Sequence, residues 1–70
     1  MNELKYVLSF DTVDDSGKIY RIDVWQEFEQ SHQGKIAKMR SMTYGSDVVS
    51  QNDDGSYEII GKTNVRVRKV

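Results

Sequence analysis

Cysteine and proline are both missing from this 70-residue chain, and each absence removes a class of explanation. Without cysteine there is no disulfide framework, no thiolate metal centre and no thiol nucleophile, which fits a reducing compartment. Without proline, the chain's reversals must be set by glycine and by short polar side chains. Long apolar runs are missing too: nothing approaches the roughly 20 residues that a membrane-spanning helix needs. The opening Met1-Asn2-Glu3-Leu4-Lys5 sets charges where a secretory signal would be apolar. The expectation is a cytoplasmic protein without membrane contact. An excess of one charge is also lacking, since 10 basic residues face 11 acidic ones for a net charge of -1. A globally basic surface for nucleic acid is therefore not indicated.

Chemistry-bearing clusters are equally sparse. His32 is the lone histidine, in a polar stretch beside Ser31, with no second imidazole or thiol to share a metal or to activate. Asp14-Asp15 and Asp53-Asp54 each sit within two residues of a glycine. Neither pair supplies the alternating acidic spacing of a calcium loop, so both read as turn residues. The glycines are isolated and form no phosphate cradle. No enzyme is expected, and no cofactor or metal.

What is present is alternation. Leu4, Tyr6, Leu8, Phe10 and Thr12 alternate with Lys5, Val7, Ser9, Asp11 and Val13, and after Asp14-Asp15-Ser16-Gly17 the period-two pattern resumes at Tyr20, Ile22, Val24 and Phe28. A three-residue loop over Asp15-Ser16-Gly17, with Gly17 in the left-handed position of a type I turn plus G1 bulge, sets the register. It places Leu4 opposite Phe28, Leu8 opposite Val24, Phe10 opposite Ile22 and Thr12 opposite Tyr20. On the other face it sets Lys5 against Glu27, Asp11 against Arg21, and Asp14 against Lys18, all of opposite charge.

The remaining glycines, Gly34, Gly45, Gly55 and Gly61, divide the rest into short strands. A four-residue loop from His32 to Lys35 pairs Phe28 with Met39, Glu29 with Lys38, Glu27 with Arg40, and Trp25 with Met42. A three-residue loop over Asp53-Asp54-Gly55 pairs Val49 with Ile59 and Val48 with Ile60. Gly61-Lys62-Thr63-Asn64 then turns into a last strand from Val65 to Val70, with residues 47–51 as the shortest strand. A helix over residues 24–42 would align Trp25, Phe28, His32, Ile36 and Met39, but Gly34 and the alternation from Tyr20 to Phe28 oppose it. Residues 1–70 are read as one all-β domain: an antiparallel meander of five to six short strands curled into a small barrel or half-open roll.

These registers give a core face of Leu4, Leu8, Phe10, Ile22, Val24, Phe28 and Met39. On the opposite face they give three rows: Lys5 with Glu27 and Arg40, Val7 with Trp25 and Met42, and Ser9 with Asp23 and Tyr44. Trp25, the only tryptophan, thus falls on the charged face. Either the sheet curls to make that row a continuous core, or Val7, Trp25, Met42 and Tyr44 form a recognition patch rimmed by Lys5, Arg40 and Glu27. The function expected is a non-catalytic binding or assembly module with a protein partner, acting through the Trp25 face or through an open sheet edge that also allows a homodimer. The alternative is nucleic-acid binding by the C-terminal strand, with Arg66, Arg68 and Lys69 on phosphates and Tyr57 or Tyr44 stacking a base. Against that alternative stands a solvated edge strand whose charges guard it from aggregation.

Overall fold

The structure, a computed structural model, describes residues 2–61 and 64–70. Six antiparallel strands follow one another as β1 (Asn2–Val13), β2 (Ile19–Ser31), β3 (Gly34–Tyr44), β4 (Asp47–Gln51), β5 (Tyr57–Ile60) and β6 (Val65–Lys69). Each pairs with the next, and β6 returns to β1 through Thr12–Lys69 and Val13–Arg68, so the meander closes into a barrel. The segment considered as a helix is strand throughout, apart from its hairpin turn. The shortest strand is β5, not β4. The turn through Lys62 and Thr63 lies outside the described residues.

Two turns are near copies. The N–H of Gly17 donates to the carbonyl of Asp14, and that of Gly55 to the carbonyl of Asn52, both at 3.0 Å. Gly17 and Gly55 have φ of 88° and 89°, the left-handed geometry that ends a three-residue hairpin loop. An aspartate pins each turn. Asp14 Oδ1 accepts from the N–H and hydroxyl of Ser16 and from the N–H of Lys18. Asp54 Oδ1 accepts from the N–H and hydroxyl of Ser56. One aspartate of each acidic pair, Asp14 and Asp54, is thus engaged as a turn acceptor.

The first hairpin register holds from Leu8–Val24 through Phe10–Ile22, Asp11–Arg21 and Thr12–Tyr20 to the turn. Beyond it, a bulge at Val7 shifts the pairing to Tyr6–Trp25, Lys5–Gln26, Leu4–Glu27 and Glu3–Phe28. The expected Leu4–Phe28 and Lys5–Glu27 pairs therefore do not form. An extra residue turns every side chain beyond it to the other face. The second hairpin differs at its loop: His32-Gln33 make a two-residue turn, Ser31 pairs with Gly34, and Gly34 takes φ of 110°. Phe28 then faces Ala37, Glu29 faces Ile36, Gln26 faces Arg40, Trp25 faces Ser41 and Val24 faces Met42, with a second bulge between Gln26 and Phe28. The expected pairs Phe28–Met39, Glu27–Arg40 and Trp25–Met42 are replaced, although Lys38 still reaches Glu29 across the diagonal at 2.9 Å. The β4–β5 loop gives Val49–Ile59 and Val48–Ile60, as read from its turn.

The core occupies one end of the molecule. Tyr20, Ile22, Val49, Ile59 and Val67 form its buried cluster, with Phe10, Met42, Tyr44, Tyr57 and Val65 packed against it. Two aromatic contacts knit it, Phe10 to Tyr57 and Tyr20 to Tyr44, each with ring centroids 5.2 Å apart. Buried Thr12 donates to the carbonyl of Tyr20 at 2.8 Å, and buried Ser56 is held by Asp54 and Asn52. Among the described residues no buried side-chain polar atom lacks a partner, as a well-formed core requires.

Candidate interaction surface

The first three strands are longer than the barrel they enclose. β3 pairs with β4 only through Met42, Thr43 and Tyr44, while β6 meets β1 only from Asp11 onward. Residues 2–7, 25–31 and 34–41 therefore continue past the barrel as a three-stranded arm, and the molecule measures 49 × 23 × 22 Å. Both margins of the arm are open: residues 2–10 of β1 and 34–41 of β3 have a strand on one side only.

None of the arm's described side chains is buried. Leu4 is 57% exposed, Tyr6 54% and Met39 80%, with Leu8, Val7 and Ile36 also exposed. Leu4 and Met39 thus leave the expected core face, because the bulges and the two-residue turn shift their registers, whereas Leu8 keeps its place opposite Val24 and is exposed because β6 does not extend alongside it. Phe28 is half-buried within the arm, between Glu3 and Ala37.

On the outer face, Trp25 stands half-buried beside Tyr6, with ring centroids 5.8 Å apart at 77°, the edge-to-face contact that aromatic pairs prefer. Its indole N–H donates to Thr43 Oγ1 at 3.0 Å. Tyr6, Ser9 and Asp23 continue the row: Ser9 Oγ lies 2.5 Å from the Tyr6 hydroxyl and donates to Asp23 Oδ1 at 2.6 Å. A shallow cleft of about 220 Å³ lies among Leu4, Trp25, Ser41, Thr43 and Gly45.

Trp25 is thus neither in a second core nor in the expected row. Val7 sits in the bulge, and Met42 and Tyr44 face inward to pack on the core. Val7 instead joins Lys5, Phe28, Ala37 and Arg40 along an open groove of about 520 Å³. The sequence-level patch is split: Trp25 is on the outer face, Lys5, Val7 and Arg40 line the groove, and Met42 and Tyr44 belong to the barrel. The residues missed are Tyr6, Leu4 and Thr43. A signal existed for the first two, because Tyr6-Val7-Leu8 is a run of three apolar residues that breaks the alternation, as a bulge does.

Electrostatics of the arm are local. Lys35 reaches Glu3 at 2.7 Å, holding its carboxyl below the usual range, and Lys5 lies 3.7 Å from the same carboxylate. Lys38 likewise lowers Glu29 and is itself raised by it. At the barrel end, Ser16 and its neighbours hold Asp14 down to about 2, and Asp14 in turn pushes the Tyr20 hydroxyl up.

β6 is not an edge: it is hydrogen-bonded on both sides, so its cations guard no open margin. Arg66 and Arg68 point outward and Val67 inward, as the alternation implies. Arg66 lies opposite Glu58, Arg68 comes within 3.8 Å of Asp54, and Lys69 sits over the Phe10 ring. Tyr57 packs against Phe10 and the core, and Tyr44 against Tyr20, so neither ring presents both faces for stacking. His32 is exposed in the β2–β3 turn.

Among the described residues, no three His, Cys, Asp or Glu side chains converge to hold a metal, and no helix is long and apolar enough to cross a membrane. No family model matches the chain, and no curated protein or solved structure shows significant similarity to it.

Proposed function

We propose that this protein is a non-catalytic binding and assembly module of the cytoplasm, and that its three-stranded arm is the part that engages another polypeptide. One observation carries this reading: a strand margin left open over residues 2–10 lies beside exposed Leu4 and Tyr6 and half-buried Trp25. An open margin offers unpaired N–H and C=O groups to an added strand, and aromatic side chains nearby supply contact area. The carboxylates with shifted acidity support the non-catalytic part, since each is engaged in a turn or a surface ion pair.

The test compares capture on immobilised protein by three forms: wild type, the arm double variant Tyr6→Asp with Met39→Asp, and the barrel variant Arg66→Glu. A bound polypeptide that is lost with the arm variant and kept by the barrel variant supports the reading. Retention by the arm variant with loss at Arg66→Glu contradicts it and favours the basic strand. A labelled single-stranded oligonucleotide at low salt then separates protein from nucleic acid, because phosphate contacts weaken steeply as salt rises.

A further inference from the structure

The partner that the arm fits best can be read from surface area, backbone direction and charge. The chain exposes 5317 Å², whereas a compact monomer of 8.1 kDa exposes about 4500 Å². Its radius of gyration is 14.0 Å, against about 11 Å for a compact chain of this length. The surplus, about 800 Å², is the area that each partner contributes to a standard interface.

Hydrogen bonding fixes which β1 groups are free. The carbonyl of Asp11 accepts from the Val70 N–H, so Asp11 and Ser9 direct their backbone groups away from β2, while Leu8, Phe10 and Thr12 direct theirs toward it. The bulge at Val7 reverses this parity. Below it, Lys5 and Glu3 exchange bonds with Gln26 and Phe28, and Asn2, Leu4 and Tyr6 turn their N–H and C=O groups outward.

We infer that two copies of this chain pair antiparallel along this β1 edge, with Leu4 opposite Leu4 on the two-fold axis and Glu3 of each copy opposite Lys5 of the other. This deepens the reading of the arm as a docking surface and rests on it. Outward parity at Asn2, Leu4 and Tyr6 permits only registers that keep those residues in hydrogen-bonded positions. Sliding two residues one way sets Glu3 against Glu3, and two residues the other way sets Lys5 against Lys5. The central register alone makes two opposite-charge pairs, in the non-hydrogen-bonded positions where side chains approach most closely. Lys5 has a partner to gain, since its distance to its own Glu3 is 3.7 Å. Pairing also brings the two Lys5–Val7–Phe28 grooves side by side across the axis. The β3 margin is less suited to itself, because residues 34–41 carry Lys35, Lys38 and Arg40 but no acidic residue, so self-pairing there forms no opposite-charge pair between margins.

Sedimentation equilibrium of the full chain over a wide concentration range tests the inference, with circular dichroism to verify the fold of each variant. The wild type is expected to shift from monomer to dimer. Lys5→Glu, which sets like charges opposite each other twice, should weaken association about tenfold or more. The exchange Glu3→Lys with Lys5→Glu should restore most of it. Leu4→Pro removes an outward N–H without touching the bond to β2, and should abolish pairing in a folded monomer. A wild type that stays monomeric at every concentration overturns the self-pairing. If its arm still captures another polypeptide, the docking role stands without it. Association that ignores both Lys5→Glu and Leu4→Pro also overturns this geometry.

Discussion

The first three strands live two lives, and the contrast between their halves is instructive. Around Ile22, which is wholly buried, β2 lies between β1 and β3 and is backed by a filled interior. A few residues further along β2, around Phe28 and Glu29, the backbone pairing continues but the barrel does not, and no described side chain is buried. Backbone pairing is similar in both halves, so it is not what separates them. Burial is: apolar area removed from water is the main source of stabilisation, and only the barrel half buries side chains fully, while the arm leaves even Trp25 and Phe28 half-buried. The arm therefore borrows its order from the barrel and holds apolar area in reserve.

The largest expected break in the comparison is Ile22→Ala. Removing a fully buried isoleucine costs about 2–5 kcal/mol, which is of the order of the whole stability of a domain this small. Thermal or urea unfolding should show the variant largely unfolded near room temperature. Next come the turn glycines. Gly17→Ala and Gly55→Ala meet no steric contact for the added Cβ, so each should cost only the left-handed backbone strain of about 1–2 kcal/mol, read as a fall in the urea midpoint.

Asp14 gives a pH-dependent effect. Its carboxyl is lowered from 3.8 to about 2 in the folded chain, so the stabilisation it brings is present above the unfolded value and is lost as pH falls from about 4 toward 2. Asp14→Asn keeps a turn acceptor but does not titrate. The variant should be less stable at neutral pH and should lose less stability than the wild type across that acid window, as urea midpoints at stepped pH would show. The smallest effect is expected in the arm: Met39→Ser, at the most exposed large apolar side chain among the described residues, should change monomer stability by no more than about 0.5 kcal/mol. A large loss there would erase the distinction between the two halves.

Much of the barrel half was legible in the letters. Asp-Ser-Gly and Asp-Asp-Gly are turn sequences whose glycine must adopt positive φ, so they fix loop length, and loop length fixes register: Phe10–Ile22 and Val49–Ile59 follow. The arm was misread because its register depends on two bulges and a two-residue turn. His32-Gln33 carries neither Asn nor a glycine within the turn itself, so the tight reversal had no strong local signal, and Gly34 lies one position after it. Alternation alone places Met42 beside Trp25. The bulge between Gln26 and Phe28, added to the shorter turn, carries Met42 onto the face of Val24 and into the core, and the extra residue at Val7 puts Tyr6 beside the indole instead. That the sheet closes while half of its length stays outside the barrel was not legible, because the closure depends on where the short strands β4 to β6 run out.

Residue-resolved amide hydrogen exchange, measured at a low and a high protein concentration, tests the division most directly. Amides of Ile22, Ile59 and Val67 should exchange only through global unfolding, with protection that tracks monomer stability. The outward amides of Leu4 and Tyr6 should exchange quickly in dilute protein and gain protection as concentration rises. Slow exchange at Leu4 and Tyr6 in dilute protein, equal to that of Ile22 and unchanged by concentration, would contradict the account, because the arm would then be held as firmly as the barrel and would have no open margin to offer.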